Sequence, residues 1–280
     1  MHYTMYTRFS ELLKTVGPEA AADRVKEMGF ESAEMFSGIQ PTTVADVETA
    51  RRVRQIFEDR GLHFACYSVY ADLYESEKNI ELMMLHADLA AAMGSPYLHF
   101  TILPWLTLDE TKPAIEEGIA FAVNAAERVA RHAEPLGVTC IFEDQGMYLN
   151  GIENFGKFFY ELKRRCSNVG VCGDVGNILF VDENPAPFLE AFKDEIKHVH
   201  IKDYLRKPAG YEPPSRYWLP TRGGQFLRDT MVASGVVDFE ACMKVLKAIG
   251  YDGALALELG HPEPFDVGVQ QAMEYLNRLM

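Results

Sequence analysis

The 280-residue sequence lacks any apolar run long enough to cross a bilayer, which takes about 20 residues, and no apolar N-terminal stretch resembles a signal peptide. It is also short of positive charge: 27 lysines and arginines stand against 41 aspartates and glutamates, a net charge of −14. Such a balance repels phosphate backbones and anionic membranes, so neither nucleic acid nor membrane is an expected partner. The five cysteines, at 66, 140, 166, 172 and 242, are odd in number and have neither metal-ligand nor redox spacing. They read as buried thiols in a reducing compartment, and the cytoplasm is the expected location. No G-x-G-x-x-G motif at a first strand-to-helix turn supports an open dinucleotide-binding sheet.

What is present is one unit used repeatedly: an amphipathic helix, a glycine, then a short apolar strand. It occurs around Gly29, Gly61, Gly94, Gly137 and Gly250, with glycine ending each helix. In the fourth helix Ile115, Ile119, Ala122, Ala126, Val129 and Ala133 recur every three or four residues and mark the face that lies on a sheet. Eight strand-like runs follow in order: "HYTMYTRF", "SAEMF", "FACYSVY", "YLHFT", "TCIFE", "VGVCGD", "IKHVHI" and "ALALE". Helical patterns separate them and a last one closes the chain. The parallel crossover rule therefore predicts a single (β/α)8 barrel, an α/β fold, as one domain over residues 1–280.

In such a barrel the site lies where the strands end. The last strand alternates Leu255, Leu257 and Leu259 against Ala254, Ala256 and Glu258, so both faces read as buried and a carboxylate ends the inner one. Glu143 after "TCIF", Asp174 ending "VCGD" and His200 in "HVHIKD" take the same inward place, with His198 a layer deeper. Buried carboxylates without a cation are costly. Three carboxylates and one imidazole suit one hard or borderline divalent ion, Mn²⁺ before Mg²⁺, Co²⁺ or Zn²⁺, and exclude a sulfur-rich structural zinc.

"FED" at Glu143, "GDVGN" at Asp174, "HVHIKD" at His200, and "GVVDF" followed by "GYDGALALE" at Glu258 resemble the xylose-isomerase-like barrels called sugar-phosphate isomerases/epimerases. That family includes ketose 3-epimerases, inosose dehydratases and, more distantly, endonuclease IV. The resemblance implies Glu143, Asp174, His200 and Glu258 as metal ligands, the set the strand pattern selects. It also implies Glu34 of "SAEMF" as a substrate-facing acid. Family members commonly carry a histidine where this sequence has Asn177, and an amide hydrogen-bonds a hydroxyl but shuttles no proton. That gap and the acidic charge weigh against an endonuclease IV-like phosphodiesterase.

The expected function is carbohydrate metabolism: isomerisation or epimerisation of a ketose or related keto-sugar through a metal-stabilised enediolate, with Glu143 and Glu258 as the acid/base pair. A dehydratase acting on a keto-cyclitol or keto-sugar is the alternative, and a non-catalytic sugar-binding barrel is a third. A small sugar or cyclitol is the expected partner, and a homo-oligomer stays open. Glu34, His99, Asn177, Lys202 and Arg222 are the expected substrate contacts, with Asp203 expected to orient Lys202. Between His200 and Glu258 lie 58 positions, against 26 between Asp174 and His200. The excess, residues 204–235, is an expected lid carrying Tyr204, Tyr211, Tyr217, Trp218, Arg206, Arg216 and Arg222, or equally an oligomer contact; its "RGG" glycines permit a hinge.

Overall fold

A computed structural model describes residues 1–280. The five helix-ending glycines all take positive φ, 68–84°, where a side chain on Cα is strained, and each turns its chain back into a strand. The alternation runs β1 (His2–Met5), α1 (Phe9–Glu27), β2 (Ser32–Gly38), α2 (Val47–Glu58), β3 (His63–Tyr70), α3 (Glu77–Ala92), β4 (Tyr97–Phe100) and α4 (Ile115–Ala133). It continues with β5 (Thr139–Phe142), α5 (Ile152–Arg165), β6 (Val169–Asp174), α6 (Pro185–Ala191) and β7 (Ile196–Ile201). After an insertion come α7 (Phe239–Ala248), β11 (Ala254–Leu257) and α8 (Phe265–Asn277).

The barrel strands pair in parallel and close in the order β1-β11-β7-β6-β5-β4-β3-β2, the single (β/α)8 barrel that the eight runs predict. Closure is made by β11, whose Ala254 to Leu257 lie opposite His2 to Met5. The predicted α4 face packs on the sheet: Ile119 is 7% exposed and Ala122, Ala126, Val129 and Ala133 are fully buried, while Ile115 at the first turn is half-buried. All five cysteines are free and buried. No helix is long and apolar enough to cross a membrane.

The insertion differs from a plain loop. It holds β8 (Asp203–Lys207), β9 (Leu219–Pro220) and β10 (Phe226–Thr230), a three-stranded antiparallel sheet in the order β8-β10-β9. Leu227 on its central strand is fully buried, and Trp218 is 7% exposed with Tyr211 edge-on at 5.6 Å. The "RGG" turn is tied down. Thr221 Oγ1, Gly223 N and Gln225 Nε2 all donate to the Asp182 carboxylate, at 2.7, 2.5 and 3.1 Å.

Candidate metal centre

The strands β11, β7, β6 and β5 are successive neighbours in the barrel, so the inward positions at their C-terminal ends converge. Asp174 ends β6 opposite His200 on β7; Glu143 follows β5; Glu258 follows β11, whose Ala256 lies opposite His200. Ligand atoms of these four residues lie within 4.8 Å of one another. His200 Nδ1 is 3.0 Å from Glu143 Oε2, 3.6 Å from Glu258 Oε2 and 3.8 Å from Asp174 Oδ2. Because β6 and β7 lie between β5 and β11, Glu143 and Glu258 flank the pair from opposite sides.

The other face of the His200 ring is held from below. Its Nε2 donates to Glu34 Oε1 at 3.1 Å, His198 Nε2 donates to Glu34 Oε2 at 2.7 Å, and Ser68 Oγ also donates to Glu34. Glu34 is fully buried with both oxygens engaged, which seats it behind the histidines and not facing the open rim. Tyr6 stacks on His200 with ring centroids 4.8 Å apart. Ser68 in turn bonds His99 Nδ1 at 3.0 Å, and His99 Nε2, 3.6 Å from Glu143 Oε1, has no hydrogen-bond partner.

Lys202, 5% exposed, reaches Glu258 Oε1 at 2.7 Å, Asn177 Oδ1 at 3.1 Å and Asp174 Oδ2 at 3.4 Å. The amide Nδ2 of Asn177 is buried without a partner. Arg222 stands at the edge, its Nη2 donating to the Met147 carbonyl at 2.7 Å. Asp203 does not orient Lys202. It accepts from Tyr204 N, Gly235 N and Val237 N at 2.8, 2.8 and 3.1 Å, because the chain turns off the barrel there and the carboxylate closes the root of the insertion.

Sequence reading passed over Tyr6, Ser68 and Asp144. The first two lie on inward positions of predicted strands, a signal that alternation could have supplied. Asp144, fully buried, accepts from Asp174 N at 3.3 Å, and burial together with the Asp174 and Glu143 charges pushes its carboxyl far up.

The electrostatics are uneven. Burial raises the Glu143 carboxyl, yet His99 and His200 beside it outweigh burial and hold it at about 2. Burial raises Glu258 to about 7 despite Lys202, with Asp174 adding to the rise, and burial raises Asp174 too. Burial opposes the charged form of His200, but the groups around it, Cys172, Glu34 and Glu143, hold its pKa well above the usual value.

These residues fit a divalent cation. Asp174 Oδ1 is fixed by Gly176 N and Asn177 N, both at 2.7 Å, while its Oδ2 points into the cluster with no hydrogen-bond partner. With Nε2–H committed to Glu34, a bound cation would displace the Nδ1 proton that the surrounding carboxylates favour, and His200 would then offer it the Nδ1 lone pair. Three oxygen donors and one imidazole match hard and borderline ions and exclude none of Mn²⁺, Mg²⁺, Co²⁺ and Zn²⁺.

The model of a family described as the xylose isomerase-like TIM barrel matches residues 22–279. An inosose dehydratase of Lacticaseibacillus casei is 26% identical, with 96% of this chain and 92% of that protein aligned. The solved structure of the IOLI protein with a binding zinc atom superposes with a TM-score of 0.75 at 17% identity, covering 100% of this chain and 98% of that one. A D-allulose 3-epimerase from Methylomonas sp. gives 0.73 at 17% identity over 100% and 98%. At these identities the two superpositions bear on the fold.

Proposed function

Because the chain belongs to the xylose isomerase-like TIM barrel family, we propose that it is a divalent-metal-dependent enzyme that moves the proton beside the carbonyl of a ketose or keto-cyclitol, as an isomerase or epimerase. One observation carries the reading. Two carboxylates, Glu143 and Glu258, approach one imidazole nitrogen from opposite sides of the β6–β7 pair, with Asp174 between them. A divalent ion held by Glu143, Asp174, His200 and Glu258 would polarise adjacent carbonyl and hydroxyl oxygens and offset the negative charge that proton loss creates.

The chain's own groups do the rest. Glu143, kept anionic, takes the proton from one face of the substrate carbon. Glu258 returns a proton from the other, which inverts the centre; return to the neighbouring carbon interconverts aldose and ketose. His99 Nε2 and Asn177 Nδ2, both buried without partners, are free to bond substrate hydroxyls. Lys202 presents its ammonium to a substrate oxygen, and Arg222 stands beside the rim to do the same. Glu34 fixes the tautomer and tilt of His200. Residues 204–235 supply the cover that excludes water from the charged intermediate.

A second reading has its own support in the inosose dehydratase that aligns with 96% of the chain. The same first step, followed by loss of a hydroxyl from the next carbon as water, makes the protein a lyase. A deuterium-exchange assay tests both. With Mn²⁺, Mg²⁺, Co²⁺ or Zn²⁺ added, ketoses and keto-cyclitols in D₂O are expected to gain deuterium beside the carbonyl, and Glu143→Gln is expected to abolish it. An ultraviolet-absorbing unsaturated product identifies the lyase. No exchange with any metal across the panel overturns the proposal.

A further inference from the structure

The insertion carries arginines of an unusual kind for this acidic protein. Of the eleven arginines outside it, nine (8, 24, 52, 54, 60, 128, 131, 164 and 165) lie within 4.0 Å of a carboxylate. None of Arg206, Arg216, Arg222 and Arg228 has such a partner among the ion pairs, although acids outnumber bases 41 to 27. Arg216 and Arg228 make no side-chain hydrogen bond either; Arg216 lies over the Tyr217 ring, 5.6 Å from its centroid. Two guanidinium groups left open in a sea of carboxylates are groups with binding capacity to spare.

Both line one cavity of about 400 Å³, together with Tyr217, Asp229, Gly260 and Pro262. The cavity stands at the rim. Gly260 is two residues beyond Glu258, and Arg228 and Asp229 pair with Leu205 and Tyr204, just beyond Lys202. At the rise of an extended chain, the two residues from Glu258 to Gly260 span roughly 7 Å, which sets this wall of the cavity beside the carboxylate cluster. Its walls are the segments that follow the seventh and eighth barrel strands, the place where barrels of this architecture commonly bind phosphate. Two guanidinium groups against the single Asp229 carboxylate leave it net positive beside a negative cluster. Gly260 keeps it open on one side: a Cβ there would come within 2.8 Å of Asp229 Cγ.

We propose that this cavity is the subsite for an anionic end of the substrate, a carboxylate or phosphoryl group gripped by Arg216 and Arg228, so that the enzyme acts on an acidic keto-sugar. The fork of a guanidinium matches either anion with paired N–H donors. The inference rests on the reading of the rim as a keto-sugar site, with the sugar's carbonyl end at Glu143 and Glu258 and its far end here.

Binding of inorganic phosphate and, separately, of gluconate to the Mg²⁺-supplied protein, followed by calorimetry, tests it. At least one probe is expected to bind, and the Arg216→Gln/Arg228→Gln double variant to weaken it on the order of tenfold or more. Phosphate alone identifies a phosphoryl group, gluconate alone a carboxylate. Glu258→Gln separates binding at this cavity from binding at the cluster, because it should leave phosphate binding within about twofold. Both arginines reach solvent, and a thermal midpoint of the double variant close to the parent's establishes that it is folded; Arg→Lys at both positions, which keeps the charge, should restore part of the affinity. Equal binding by parent and double variant, or binding of neither probe, overturns the subsite. The deuterium-exchange assay separates this from the proposed function: exchange on neutral ketoses, unchanged in the double variant, with no arginine-dependent anion binding sinks the subsite alone. Arginine-dependent binding with no exchange on any sugar sinks the proposed chemistry and leaves the anion site.

Discussion

Replacing Lys202 by methionine keeps the unbranched stem of the side chain and removes the one ammonium in the carboxylate cluster. The structure puts that ammonium 2.7 Å from Glu258 and 3.4 Å from Asp174. Removing one partner of a buried ion pair costs about 3–5 kcal/mol; the Glu258 side chain keeps 31% of its exposure, which screens part of the loss and brings it to about 2–3 kcal/mol. For a chain of this length that lowers the metal-free Tm by roughly 4–8 °C. The same change removes a charge that repels an incoming ion. Like charges of +2 and +1, if held roughly 4 Å apart, would repel by about 2 kcal/mol even at the dielectric of water, so the variant should bind Mn²⁺ roughly thirtyfold more tightly. Differential scanning fluorimetry with and without metal, and calorimetric titration with Mn²⁺, read the two effects. A variant that is destabilised but binds Mn²⁺ no better than the parent would show Lys202 to be a packing residue and refute the view that it sits in competition with a cation.

Three further outcomes follow from the same cluster. The folded protein holds the Glu258 proton up to about pH 7, against an ordinary value of 4.5; its contribution to stability is present below pH 4.5 and lost as pH rises toward 7. The metal-free Tm should therefore fall between pH 5 and 8 by more in the parent than in Glu258→Gln, and parallel curves would contradict the assignment. Glu34→Gln leaves the His200 Nε2–H with a weaker acceptor and should reduce metal affinity about 10–100-fold, measured by competition with a chelator dye, while Ser68→Ala, which removes only one donor to Glu34, should change it far less. Gly260→Ala brings a methyl against Asp229 and should narrow the arginine cavity, weakening phosphate binding without changing metal affinity; a loss of metal affinity there would mean that the loop is part of the cluster.

The barrel was legible because its signals are local. The strand runs carry their own alternation and five of the helices end on a glycine of their own, so the eight strands fall within a few residues of their expected places. The four convergent residues could be picked for the same reason, since position at a strand end and inward alternation are both readable in a few residues. What stayed hidden depends on distant partners. Glu34 reads as an inward acid on β2, but the histidines that engage both its oxygens lie 164 and 166 positions later. Asp203 sits next to Lys202 in sequence yet closes a turn with Gly235, 32 positions on. The insertion's strands are two to five residues long and pair only with each other, too short for period two to show among prolines and glycines.

The measurement that bears most directly on the central claim is the metal content of the chain, by elemental mass spectrometry on protein purified without chelator, beside Glu258→Gln. About one divalent ion per chain, lost or much reduced in the variant, is the predicted result. No bound ion, together with no stabilisation by added Mn²⁺, Mg²⁺, Co²⁺ or Zn²⁺, would contradict it and leave Glu143, Asp174, His200 and Glu258 as a structural network.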